Sequence, residues 1–75
     1  MNAAQRKTLD DIRGELHTQL ERIESERDAE QDKFDNMPES LQGGDKGQAM
    51  EEGISTLDEA IEGVQAAIDA LDNIS

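Results

Sequence analysis

Seven apolar residues, Met50, Ile54, Leu57, Ile61, Val64, Ile68 and Leu71, follow one another at intervals of 4, 3, 4, 3, 4 and 3. This alternation returns an apolar side chain to the same side of an α-helix at every turn. Three unbroken heptads of it select a helix over a strand. Ile54, Ile61 and Ile68 take the first core position of the heptad, and Leu57, Val64 and Leu71 the second. The pattern predicts a helix over about 46–74. Asp45, with Gln48 three residues on, is suited to a capping box at its start.

The first half carries a looser stripe: Leu9, Ile12, Leu16, Leu20 and Ile23, then Arg27, Gln31 and Phe34. Its spacing repeats every 11 residues, close to the period of an untwisted helix. It predicts a second helix over about 3–36, capped by Asn2 with Gln5 or by Thr8 with Asp11. Pro38 ends it, because a proline pushes the preceding residue out of the helical region. Residues 37–45 then read as a turn, with Pro38 opening a short helical bend. Gly43 and Gly44 are expected there as the positive-φ residues that stop it. Phe34, Met37, Leu41 and Met50 are expected to close the bend as a small apolar plug.

Two helices of similar length joined by so short a turn make an all-α fold, an antiparallel coiled-coil hairpin. Charge suggests its register. Folding the chain between Gly43 and Gly44 sets Arg13 against Asp72, Arg27 against Asp58 and Leu20 against Gln65. Such surface pairs specify register more than they stabilise. In that register Gln19, Glu26, Glu30 and Lys33 face the apolar seam of the second helix and cover it poorly. A second copy is therefore expected against Ile54, Leu57, Ile61, Val64, Ile68 and Leu71, giving a homodimer and a four-helix bundle. Small neighbours widen this packing face: Gly53, Ala60 and Ala67 on one flank, Ala49, Gly63 and Ala70 beside them.

Composition narrows what such a hairpin does. The 75 residues are only 33% apolar, Phe34 is the one aromatic, and cysteine is absent, so a single modest core is the most the chain can build. No apolar run reaches the roughly 18 residues of a membrane span. The opening "MNAAQRKTLDD" lacks the apolar segment of a signal peptide, so a cytoplasmic protein is expected. A net charge of −12 opposes direct binding to DNA, RNA or anionic lipid. The charge is uneven. Residues 1–37 hold ten acids and six bases; residues 38–75 hold nine acids and one base, Lys46. The outer face of the second helix, with Glu51, Glu52, Asp58, Glu59 and Glu62, is thus acidic throughout. It is expected to meet a protein partner with a basic surface, together with an exposed loop tip formed by Phe34, Met37, Pro38 and Leu41. Three other readings fit the same residues: a solvated surface, a nucleic-acid mimic seated in the basic groove of a DNA- or RNA-handling protein, and a structural oligomerisation module without an external partner.

Enzymatic chemistry finds no constellation, and no catalytic residue, cofactor or metal is expected. His17 is the only histidine, on a polar stretch of helix. Ser40, Ser55 and Ser75 have no base at a useful spacing. "GGDKG" lacks the spacing and preceding strand of a phosphate loop. Asp28, Asp32 and Asp35 share a helix face, but the Glu-x-x-His pair of bundle di-metal sites is missing. The turn does not match a calcium loop.

The turn "FDNMPESLQ", followed by a short glycine- and charge-containing gap and "GQAMEEGISTLDEAIEGVQAAIDAL", resembles a group of small acidic proteins encoded by phages and other mobile elements. The likeness covers roughly residues 24–74. Its specific part is the Asn-Met-Pro-Glu turn, since the second helix is a generic coiled coil. No established activity comes with the group. The resemblance implies a phage or integrated-element setting, and with it modulation or inhibition of a host protein, including one used in defence.

Overall fold

The computed structural model describes residues 1–74 and consists of three helices: α1 (Ala3–Asp35), α2 (Glu39–Gln42) and α3 (Asp45–Asp72). Ser75 lies outside the described residues. The two long helices pack side by side in opposite directions as a rod of 58 × 14 × 12 Å. This is the antiparallel hairpin that the two apolar stripes predict.

α1 starts where Asn2 and Gln5 cap it reciprocally. The Gln5 backbone N–H donates to Asn2 Oδ1 at 2.8 Å, and the Asn2 N–H donates to Gln5 Oε1 at 3.1 Å. Two of the four orphan donors at a helix start are satisfied in this way. Thr8, the alternative cap, instead donates its hydroxyl back to the Ala4 carbonyl. The start of α3 departs from expectation. Its N-cap is Gly44, in extended conformation, and no side chain caps it. Asp45 lies inside the first turn, where its charge favours the positive end of the helix dipole.

The chain reverses without any left-handed residue among those described. Gly43 is right-handed helical (φ −83°, ψ −2°) and Gly44 is extended (φ −86°, ψ −176°), so neither supplies the positive φ expected of it. The bend needs none, because it is made of a single helical turn. Pro38, at φ −56° and ψ 141°, is the N-cap of α2 rather than its first residue. Its carbonyl accepts from the N–H of Leu41 (2.8 Å) and of Gln42 (3.1 Å).

The core is thin. Leu20, Ile54 and Ile68 are the buried apolar side chains among the described residues, and Ile68 is the deepest at 1% exposure. Leu57, Ile61, Val64 and Leu71 are half-buried. Ile54 and Ile68 are thus covered within the hairpin itself. α1 departs from its 11-residue stripe at one position, where Arg13 turns inward in place of Ile12, and adds Glu30 beside Gln31. Its inward positions run Leu9, Arg13, Leu16, Leu20, Ile23, Arg27, Glu30, Gln31 and Phe34, while Ile12 stays 38% exposed. The spacing is heptad as far as Arg27, after which both Glu30 and Gln31 are half-buried. Two helices wound on one another must share a period, and the unbroken apolar heptads of α3 dictate which one.

The charge register holds. Arg27 Nε donates to Asp58 Oδ1 at 2.9 Å, and the Arg13 guanidinium bridges Asp72 of α3 and Asp10 of its own helix. Both pairs lie on the same edge of the hairpin. Arg13 is held above its ordinary pKa by its hydrogen bond to Asp72 and then by the charge of Asp10. Arg27 is raised chiefly by its hydrogen bond to Asp58. Both guanidinium groups therefore keep their charge over the whole range in which the protein would be handled.

Candidate functional site: an acidic helix face and a braced bend

Two features could meet a partner, and the structure treats them differently. The first is the outward side of α3. Glu51, Glu52, Glu59 and Glu62 are all exposed. Over a span of about 17 Å, at 1.5 Å per residue, they form one acidic surface. None of the four is in an ion pair among the described residues; the pairs use Asp10, Asp28, Asp58 and Asp72 instead. Asp58 thus differs from the glutamates with which it was grouped. It is half-buried and bound to Arg27, so it holds the two helices in register.

The second feature is the bend. Gln42 braces it from inside. Its side-chain amide donates to the Phe34 carbonyl at 2.9 Å and to the Met37 carbonyl at 3.1 Å, which satisfies backbone acceptors left open by the end of α1. Gly47, in the first turns of α3, is buried against the same residue. A Cβ at Gly47 would lie 2.0 Å from the Gln42 carbonyl oxygen and 2.8 Å from its Cα. Only a residue without a side chain lets α3 pass this close to α2.

Phe34, Met37 and Met50 are half-buried at this end, and Met37 and Met50 line one groove there. Leu41 does not join them: it is 55% exposed, with Pro38 exposed nearby. The one-turn helix α2 turns Gln42 inward and therefore Leu41 outward. Of the four tip residues, Pro38 and Leu41 are exposed and Phe34 and Met37 are half-buried.

Gln42 and Gly47 are the residues that sequence reasoning missed. Gly47 had a readable signal. It stands seven positions before Ile54, on the core row of the heptad, where a glycine marks a close backbone approach. Gln42 had none beyond being polar in a bend of mixed composition.

His17 is exposed on α1. Among the described residues no three His, Asp or Glu side chains are placed to hold a metal ion, and no helix is long and apolar enough to cross a membrane. No protein-family model, curated protein or solved structure matches the chain.

Proposed function

We propose that this chain is a non-enzymatic protein-binding protein of a phage or mobile element, acting in the host cytoplasm as a homodimeric four-helix bundle that modulates or inhibits a host protein with a basic surface. The observation that carries the reading is the exposure of Glu51, Glu52, Glu59 and Glu62 on one rigid face, free of ion pairs among the described residues. Four uncompensated carboxylates side by side repel one another and cost stability. A basic partner would offset that cost. The phage setting rests on the resemblance of the Asn-Met-Pro-Glu turn alone.

Nucleic-acid mimicry ranks below this reading on charge density. The four glutamates give one charge per about 4 Å of helix, whereas duplex DNA carries one per about 1.7 Å of axis. A structural module without a partner leaves the bare acidic face unexplained except as a solvated surface.

The test is affinity capture from a bacterial host lysate by the wild-type chain and by the quadruple variant E51Q/E52Q/E59Q/E62Q. A basic protein held by the wild type, released by salt and lost by the variant is the expected result. Equal capture by both chains would remove the acidic face from the account. A captured nuclease or other DNA-handling enzyme, competed off by duplex DNA, would move the reading to mimicry.

A further inference from the structure

The acids of α3 are confined to part of its circumference. From Gly47 to Leu71 every charged residue lies on the outward side or on the edge that meets Arg13 and Arg27. The opposite flank carries none. There Gly53, Ala60 and Ala67 form one row and Ala49, Gly63 and Ala70 the next, all exposed. They border the half-buried Met50, Leu57 and Val64. Together these residues make an open apolar face in a chain whose residues are 35% charged. The same face continues across a shallow groove onto α1, where Gln19, Arg22 and Glu26 flank Leu57 and Glu30 lies beside Ala49 and Gly53.

We infer that this face, and not the Ile54–Ile61–Ile68 row, is where a second copy of the chain docks, antiparallel and centred on Ala60. The inference rests on the homodimer reading above and specifies its geometry. Two chains of charge −12 repel, so they can associate only where neither presents an excess of acid. The spacing suits a two-fold axis at Ala60. Gly53 then faces Ala67 of the second copy, Thr56 faces its Gly63, and Ala49 faces its Ala70. Small residues meet small residues along the whole contact, allowing helix axes to approach to about 8 Å, the close end of the packing range.

Charge on α1 is arranged to match. The intrachain register, with Arg27 against Asp58 and Arg13 against Asp72, places α1 residue 25 level with Ala60. About the same axis, Arg22 of each copy comes within about two residues, or about 3 Å, of Glu30 of the other, and Lys33 equally near Gln19. The exception is Glu26, which comes within about two residues of its own counterpart.

The area is sufficient. From Ala49 to Ala70 the face is about 32 Å long, and two helices of about 10 Å diameter make it about 20 Å wide. That is on the order of 600 Å² per copy, or 1,200 Å² in all, above the roughly 1,000 Å² expected of a specific interface.

Light scattering and sedimentation across a concentration series test the inference, using four full-length chains. The wild type is expected at twice the 8.3 kDa chain mass. Ala60→Glu puts two carboxylates on the axis and is expected to raise the dissociation constant at least about 100-fold while helix content is kept. Ala66→Glu adds the same charge on the outward side of α3 and is expected to leave the dimer intact. Glu26→Gln removes the one like-charge meeting and is expected to tighten the dimer several-fold. A wild type that stays monomeric at all concentrations overturns both the homodimer reading and this face. A dimer that survives Ala60→Glu, or is broken equally by Ala66→Glu, overturns the face and leaves the homodimer standing. A dimer indifferent to Glu26→Gln overturns the antiparallel register.

Discussion

Ile68→Ala is expected to lower the unfolding free energy by about 3 kcal/mol, within the 2–5 kcal/mol typical of emptying a fully buried aliphatic site. Ile68 is 1% exposed, and only Leu20 and Ile54 are comparably buried apolar side chains among the described residues. Little core remains to relax into the cavity. Small domains have only a few kcal/mol to lose, so much of the helical signal should vanish at room temperature. Denaturant titration followed by circular dichroism reads the change directly. Ile61→Ala, at a half-buried position of the same row, is the comparison and should cost distinctly less. Equal losses at the two sites would mean that Ile61 is buried as deeply as Ile68, as in a symmetric seam between copies.

Gly47→Ala is expected to be as damaging, for a different reason. The added Cβ would sit 2.0 Å from the Gln42 carbonyl oxygen, and the atoms it meets are backbone, which cannot swing aside. Either α2 must move, breaking the brace from Gln42 to the carbonyls of Phe34 and Met37, or α3 must start later. Overpacking costs 1–3 kcal/mol where neighbours can adjust; here about 3 kcal/mol or more is expected. Gly14→Ala is the matched control. Nothing lies within 4 Å of a Cβ at Gly14 in the middle of α1. There the exchange should stabilise by about 0.5–1 kcal/mol, the ordinary helical gain of alanine over glycine. A Gly47→Ala chain as stable as wild type would show that the bend is not built around that close approach.

The legible and the hidden parts of this fold divide along physical lines. α3 was legible because its core row is apolar at every turn, and its periodicity needs no partner to be recognised. The register was legible because Arg13 and Arg27 each find one carboxylate on the facing helix when the chain is folded at its glycine pair. The inward face of α1 was not. Read alone, Ile12 belongs to the apolar stripe and Arg13 does not. In the hairpin α3 imposes its heptad, Asp72 draws Arg13 in, and Ile12 is left outside. Tertiary pairing overrides the local pattern wherever one helix has the stronger period. The bend was half legible. Pro38 marks it, but the glycines beside it suggested left-handed backbone, whereas the chain instead makes one helical turn and needs Gly47 for clearance.

The same division applies to the candidate sites. The glutamates of α3 stand where the heptad puts them, and their freedom from ion pairs could not be read from sequence. Asp58 could be, since Arg27 was already its partner in the charge register. The depth of Ile54 and Ile68 within one chain was not legible, because the residues of α1 that face them are largely polar.

One measurement bears most directly on the account, which depends on residues 34–48 being a bend that folds α3 back onto α1 of the same chain. The absence of cysteine allows spin labels at any two exposed positions. Asp11 and Asn73, both exposed, lie at the same end of the rod only if the hairpin closes within one chain. With labelled chains diluted into unlabelled protein, a single distance on the order of 20 Å is predicted, from an interaxial spacing of 8–10 Å plus the label tethers. A distance beyond the 58 Å length of the rod, or a short distance that disappears on dilution, would mean that α1 and α3 separate and pair between chains. The acidic face, the open apolar face and the braced bend would then all have to be assigned anew.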